Sequence, residues 1–87
     1  MVGKSLNLNV MKYKYEIISF DTVFYSGENK CVIRIEADIT LENGDIIPYI
    51  ETIWCTSTHE EVIKKSQVRL LNKCIKDCIE IGTKYSR

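Results

Sequence analysis

Eighty-seven residues, 45% of them apolar and 28% charged, make one small globular domain and exclude a disordered, collagenous or multi-core chain. Twelve Lys plus Arg balance twelve Asp plus Glu, which excludes functions that act through an overall field, so any charge-based recognition has to be local. No stretch has membrane-spanning length, and the first ten residues lack the apolar run of a signal peptide.

Residues 1–11 read as a weakly specified leader before a single domain over 12–87. Leu6, Leu8 and Val10 alternate like a short strand but sit among Gly3, Ser5, Asn7 and Asn9. Gly3-Lys4-Ser5 is not a phosphate loop, because that loop needs an earlier glycine and a preceding strand.

From Lys12 to Tyr25 the chain is rich in Tyr, Ile, Phe and Val and predicts a first strand, interrupted near Ser19 to Asp21. Ser26-Gly27-Glu28-Asn29 then supplies a turn. Over 31–42, Cys31, Ile33, Ile35, Ala37, Ile39 and Leu41 alternate with Val32, Arg34, Glu36, Asp38, Thr40 and Glu42. Period two of this quality predicts a half-buried strand. Asn43-Gly44 is a hairpin signal for a two-residue type I′ turn, leading into a third strand from Ile46 to about Cys55. Pairing Glu42 with Asp45 puts Ile39 opposite Pro48, Ala37 opposite Ile50, Ile35 opposite Thr52 and Ile33 opposite Trp54 on one apolar face. A turn pairing Tyr25 with Lys30 adds Phe24, Phe20 and Ile18 to that face.

Ser57 with Glu60 and Thr58 with Glu61 form overlapping capping-box patterns, so a helix is expected to start here and run to about Ile81, stopped by Gly82. Its apolar side is Ile63, Leu70, Leu71, Cys74, Cys78 and Ile81. The expected fold is α+β: a three-stranded antiparallel meander packed on one long C-terminal helix, β-β-β-α.

One helix covers one sheet face. The other is expected to carry Tyr15, Ile17, Val23, Tyr25, Val32, Ile47, Tyr49 and Ile53, more apolar than a solvated face needs, and Tyr15, Tyr25, Val32, Tyr49 and Ile53 are the candidate interface residues. The expectation is a homo-oligomer that engages a protein partner. The alternative is nucleic acid along the helix stripe of Lys65, Arg69, Lys73 and Lys76. Three meandering strands and one helix are similar in topology to double-stranded-RNA-binding cores, but Glu60 and Glu61 occupy the first helical turn where those place basic residues.

Catalysis, metal and cofactor have weak support in the sequence. Cys74 and Cys78, four apart, with Cys31, Cys55 or His59 match no recognised zinc spacing, and free cysteine packs as a small hydrophobe. His59 near Cys55 lacks the third group and oxyanion site of a nucleophilic dyad. Reading the cysteines as reduced places the protein in the cytoplasm. Thirteen Ile, nine Lys and one Ala match an AT-rich genome, such as that of a low-GC bacterium or its phage, and small size suits a phage or mobile-element effector.

Overall fold

The computed structural model describes residues 12–25 and 27–86; the leader expected over 1–11 lies outside the described residues. Strands β1 (Tyr13–Tyr25), β2 (Lys30–Leu41) and β3 (Ile46–Cys55) form one antiparallel sheet with β2 in the middle, and helix α1 (Glu60–Tyr85) follows. This is the expected β-β-β-α order. The alternation of β2 translates directly into burial: Cys31, Ile33, Ile35, Ala37 and Ile39 are at most 1% exposed. Each fully buried Ile contributes about 1.5–3 kcal/mol relative to leaving it in water.

The β2–β3 register differs from the expected one by a single residue. The loop holds three residues, Glu42, Asn43 and Gly44, because the Leu41 amide donates to the Asp45 carbonyl at 2.8 Å and the Gly44 amide to the Leu41 carbonyl at 2.9 Å. Gly44 sits at φ +95°, where an L side chain would be strained. The Asn43 side-chain oxygen accepts from the Asp45 amide at 2.9 Å, which holds the longer loop in place. Ile33 is therefore opposite Ile53, Ile35 opposite Glu51, Ala37 opposite Tyr49 and Ile39 opposite Ile47. A one-residue slip turns every β3 side chain over. Tyr49 and Ile53 lie on the helix side, and Pro48, Ile50, Thr52 and Trp54 lie on the other, the reverse of the expectation.

In β1 the expected Tyr25–Lys30 pairing holds as far as Ser19, opposite Glu36, after which Ile18 has no partner and Ile17 pairs with Ala37. This bulge inverts the alternation. Phe20, Thr22 and Phe24 after the bulge share the helix side with Tyr13, Tyr15 and Ile17 before it, since their partners all belong to the buried face of β2. Tyr15 and Ile17, expected on the uncovered face, instead pack against the core. Ile18, Phe20 and Phe24, expected in the core, are 53%, 39% and 58% exposed at the sheet edge.

Helix α1 runs 26 residues, about 39 Å at 1.5 Å per residue. It buries Ile63, Ser66, Leu70, Cys74, Cys78 and Gly82. Both expected end signals do other work. The N-cap is His59, without a side-chain cap bond; Ser57 accepts from the His59 amide at 3.0 Å and Thr58 donates to Asn29 Oδ1 at 2.8 Å, so both hydroxyls serve the loop before the helix instead of a capping box. Gly82 does not stop the helix, which continues to Tyr85. It is a packing glycine: a Cβ there would clash with the Cγ, Cδ2 and Cε2 atoms of the Tyr13 ring. The helix thereby settles onto the start of β1.

Candidate interaction surface

The helix side of the sheet is closed by polar ties as well as by packing. Tyr49 on β3 donates its hydroxyl to Asp77 Oδ2 at 2.6 Å, and Lys73 Nζ donates to the same oxygen at 2.9 Å and to Glu51 Oε1 at 3.0 Å. The ammonium and the phenol together hold the Asp77 carboxyl below its ordinary range. Burial and the bond to Asp77 push the Tyr49 phenol well up, and the two carboxylates raise Lys73. Near β1, Gln67 Nε2 donates to Thr22 Oγ1 at 2.9 Å.

The four cysteines line the same interior as two neighbouring pairs. Cys31 stands opposite Cys55 across β2 and β3, and Cys74 Sγ lies 3.9 Å from Cys78 Sγ. All four are free and buried. Burial raises the thiols of Cys31 and Cys74 and pushes Cys78 up to about 12, which keeps them protonated and chemically quiet. Among the described residues no cluster of three or more His, Cys, Asp or Glu is placed to hold a metal ion.

The uncovered face is read from the same registers. Across the sheet its rows are Val23, Val32 and Trp54; Asp21, Arg34 and Thr52; Ser19, Glu36 and Ile50; Glu16, Asp38 and Pro48; and Lys14, Thr40 and Ile46. The centre is polar, with an ion pair between Arg34 and Glu36. One end is apolar: the Tyr25 ring stacks on Trp54 with centroids 5.5 Å apart, beside Val23 and Val32, and Lys30 Nζ lies 5.1 Å over the indole. Trp54 is 59% exposed, and Ile46 and Ile50 further along β3 are 58% and 55% exposed. Stacking of two aromatics on a solvent face leaves a flat, rigid apolar platform already ordered before any contact is made.

Of the five expected interface residues, Tyr25 and Val32 belong to this face. Tyr15, Tyr49 and Ile53 lie on the helix side, for the bulge and loop reasons given above. The face instead presents Trp54 and Ile50, which the two-residue turn placed in the core, together with Ile46. On the helix, Lys65, Arg69 and Lys76 are exposed, but Lys73 is engaged by Glu51 and Asp77, so the expected basic stripe loses its third member. Among the described residues no helix is long and apolar enough to cross a membrane. No protein-family model, curated protein or solved structure matches the chain.

Proposed function

We propose that the protein is a small non-enzymatic binding module that self-associates and engages a protein partner through the uncovered sheet face. The observation that carries this reading is the Tyr25–Trp54 platform with Val23 beside it, exposed on a face that no element among the described residues covers. Aromatic residues ringed by polar ones characterise the energetic centres of protein interfaces. Arg34, Glu36 and Asp38 alongside supply the polar rim. A module of this kind acts by capping another protein's surface, as an effector does, and needs no catalytic group of its own. The nucleic-acid alternative is the weaker reading, because Lys73 is held by Glu51 and Asp77 and the chain has no net charge.

Trp54 is the one tryptophan, so its emission reports on the platform directly. Affinity capture with the wild-type protein and with Trp54→Asp as bait, both checked for folding by circular dichroism, is expected to recover a partner with the former alone. That partner is expected to shift Trp54 emission to the blue on binding. The same proteins recovered by both baits, or a partner that leaves the emission unchanged, would sink the reading.

A further inference from the structure

The self-association half of that reading is deepened by the two edges of the sheet, which are not equivalent. Because the Leu41 amide bonds to Asp45, the odd-numbered residues of β2 direct their backbone groups to β3 and the even-numbered ones to β1. On β3 the groups left pointing outward therefore belong to Ile46, Pro48, Ile50, Thr52 and Trp54. Pro48 has no N–H, so that row is broken near its start and resists addition of a further strand. On β1 the outward groups belong to Tyr13, Tyr15, Ile17, Phe20, Thr22 and Phe24. This row holds no proline, and its strand is the longest of the three at 13 residues.

We propose that two copies of this chain pair antiparallel, β1 to β1, about a two-fold axis between Ile17 and Ile18, giving a continuous six-stranded sheet with both helices on one side. The face pattern and the charges select that register over a slide toward the C-terminus, and a slide toward the N-terminus shortens the ladder to residues 13–20. The bulge puts Lys14 and Glu16 on the uncovered face before it and Ser19, Asp21 and Val23 on that face after it, so only registers that join a residue before the bulge to one after it keep like faces together. Among these, the proposed register sets Lys14 opposite the second copy's Asp21, a complementary pair; sliding by one step toward the C-terminus instead sets Glu16 opposite Asp21, a like-charged pair. The same register joins Tyr13 to Thr22 and Tyr15 to Phe20, all of them residues whose backbone groups point outward, so each pair exchanges both of its hydrogen bonds. The two bulges fall together at the axis, and the ladder on either side is regular. The exposed Ile18 and Phe20 gain Ile17 and Tyr15 of the second copy as neighbours, which explains why β1 carries apolar side chains that its own helix leaves uncovered.

The test is a charge exchange read by sedimentation equilibrium. Wild type is expected to weigh twice 10.1 kDa, and Lys14→Asp and Asp21→Lys, each alone, are expected to weaken self-association by roughly tenfold, since each puts two like-charged pairs across the axis. Mixing the two variants one to one makes both pairs opposite in sign again, and is expected to restore the dimer. Circular dichroism of each variant separates loss of pairing from loss of fold, and restoration on mixing is a result that unfolded chains do not give. A wild-type monomer at all concentrations overturns the proposal, and so does a dimer indifferent to both substitutions. Trp54→Asp is expected to leave the dimer intact, because Trp54 lies on β3, the far edge; failure of the partner reading and failure of this one are thus read from different variants.

Discussion

Gly82 offers the sharpest test of how the helix is seated. Ala in place of Gly in an ordinary exposed helix interior stabilises by about 1 kcal/mol, through backbone entropy. At position 82 the added methyl meets the Cγ, Cδ2 and Cε2 atoms of Tyr13 at distances that real Cβ atoms essentially never show. These are ring atoms near the stem of the side chain, which cannot swing aside as a flexible tip does. Overpacking of this kind costs about 1–3 kcal/mol, so Gly82→Ala is expected to destabilise by about 1 kcal/mol net. In a Tyr13→Ala background the obstruction is gone, and the same substitution is expected to stabilise by about 0.5–1 kcal/mol. The assay is urea denaturation followed by circular dichroism at 222 nm, with protein concentration fixed because self-association adds to apparent stability. A change of sign between backgrounds is the signature of direct contact. A left-handed helix stop at Gly82 would instead make Ala destabilising in both backgrounds, and a shared sign in either direction refutes the packing account.

Removing the Tyr49 hydroxyl with Tyr49→Phe is expected to cost about 1.5 kcal/mol, the scale of a hydrogen bond to a charged acceptor, and a loss of unfolding free energy below about 0.5 kcal/mol in urea denaturation would dismiss the tie. Asp77 has a folded pKa below its ordinary 3.8, so the stability it supplies is present above about pH 4 and lost as pH falls through the folded value; Asp77→Asn is expected to flatten the acid limb of the stability curve between pH 5 and pH 2. The thiols act at the other extreme. Cys78 is raised from 9.0 to about 12, so its contribution is complete below pH 9 and is lost as pH rises toward 12; at pH 10 the unfolded chain gains about 1.4 kcal/mol by ionising this one group. Cys78→Ala is expected to be less sensitive to alkali than wild type, and an equal slope would show that the thiol is not held protonated by the core.

The alternation from Cys31 to Leu41 was legible because a central strand buried on one face has no freedom to do otherwise, and the presence of one long helix, though not where it ends, followed from a periodic apolar side with no proline to interrupt it. What escaped the sequence were single-residue events. Asn43-Gly44 supports a two-residue turn and a three-residue loop alike, and the choice rests on whether Asn43 accepts from the Asp45 amide, a local bond that no periodicity encodes. The bulge at Ile18 left a trace, in that apolar residues fill consecutive positions from Ile17 to Phe20 apart from Ser19, but a trace of this kind says that alternation breaks without saying which residue is extra. Gly82 carried the composition of a helix stop, and only the Tyr13 ring, nearly seventy positions away in sequence, distinguishes a stop from a seat.

Those small events decide which side chains face out, because period two amplifies them. With the two-residue turn, Trp54 and Ile50 would be core and Tyr49 would face solvent, where its hydroxyl needs no partner. With the three-residue loop, Tyr49 finds Asp77, the helix gains its polar tie to β3, and Trp54 is turned out to stack on Tyr25. The bulge does the corresponding thing at the opposite edge, bringing Tyr15 and Ile17 into the core and giving β1 one face pattern before Ile18 and the inverse after it. That inversion is what allows the strand to be complementary to itself in an antiparallel pair whose axis runs through the bulge. The same irregularity that misplaces Tyr15 in a reading by alternation is therefore the feature on which the proposed assembly depends.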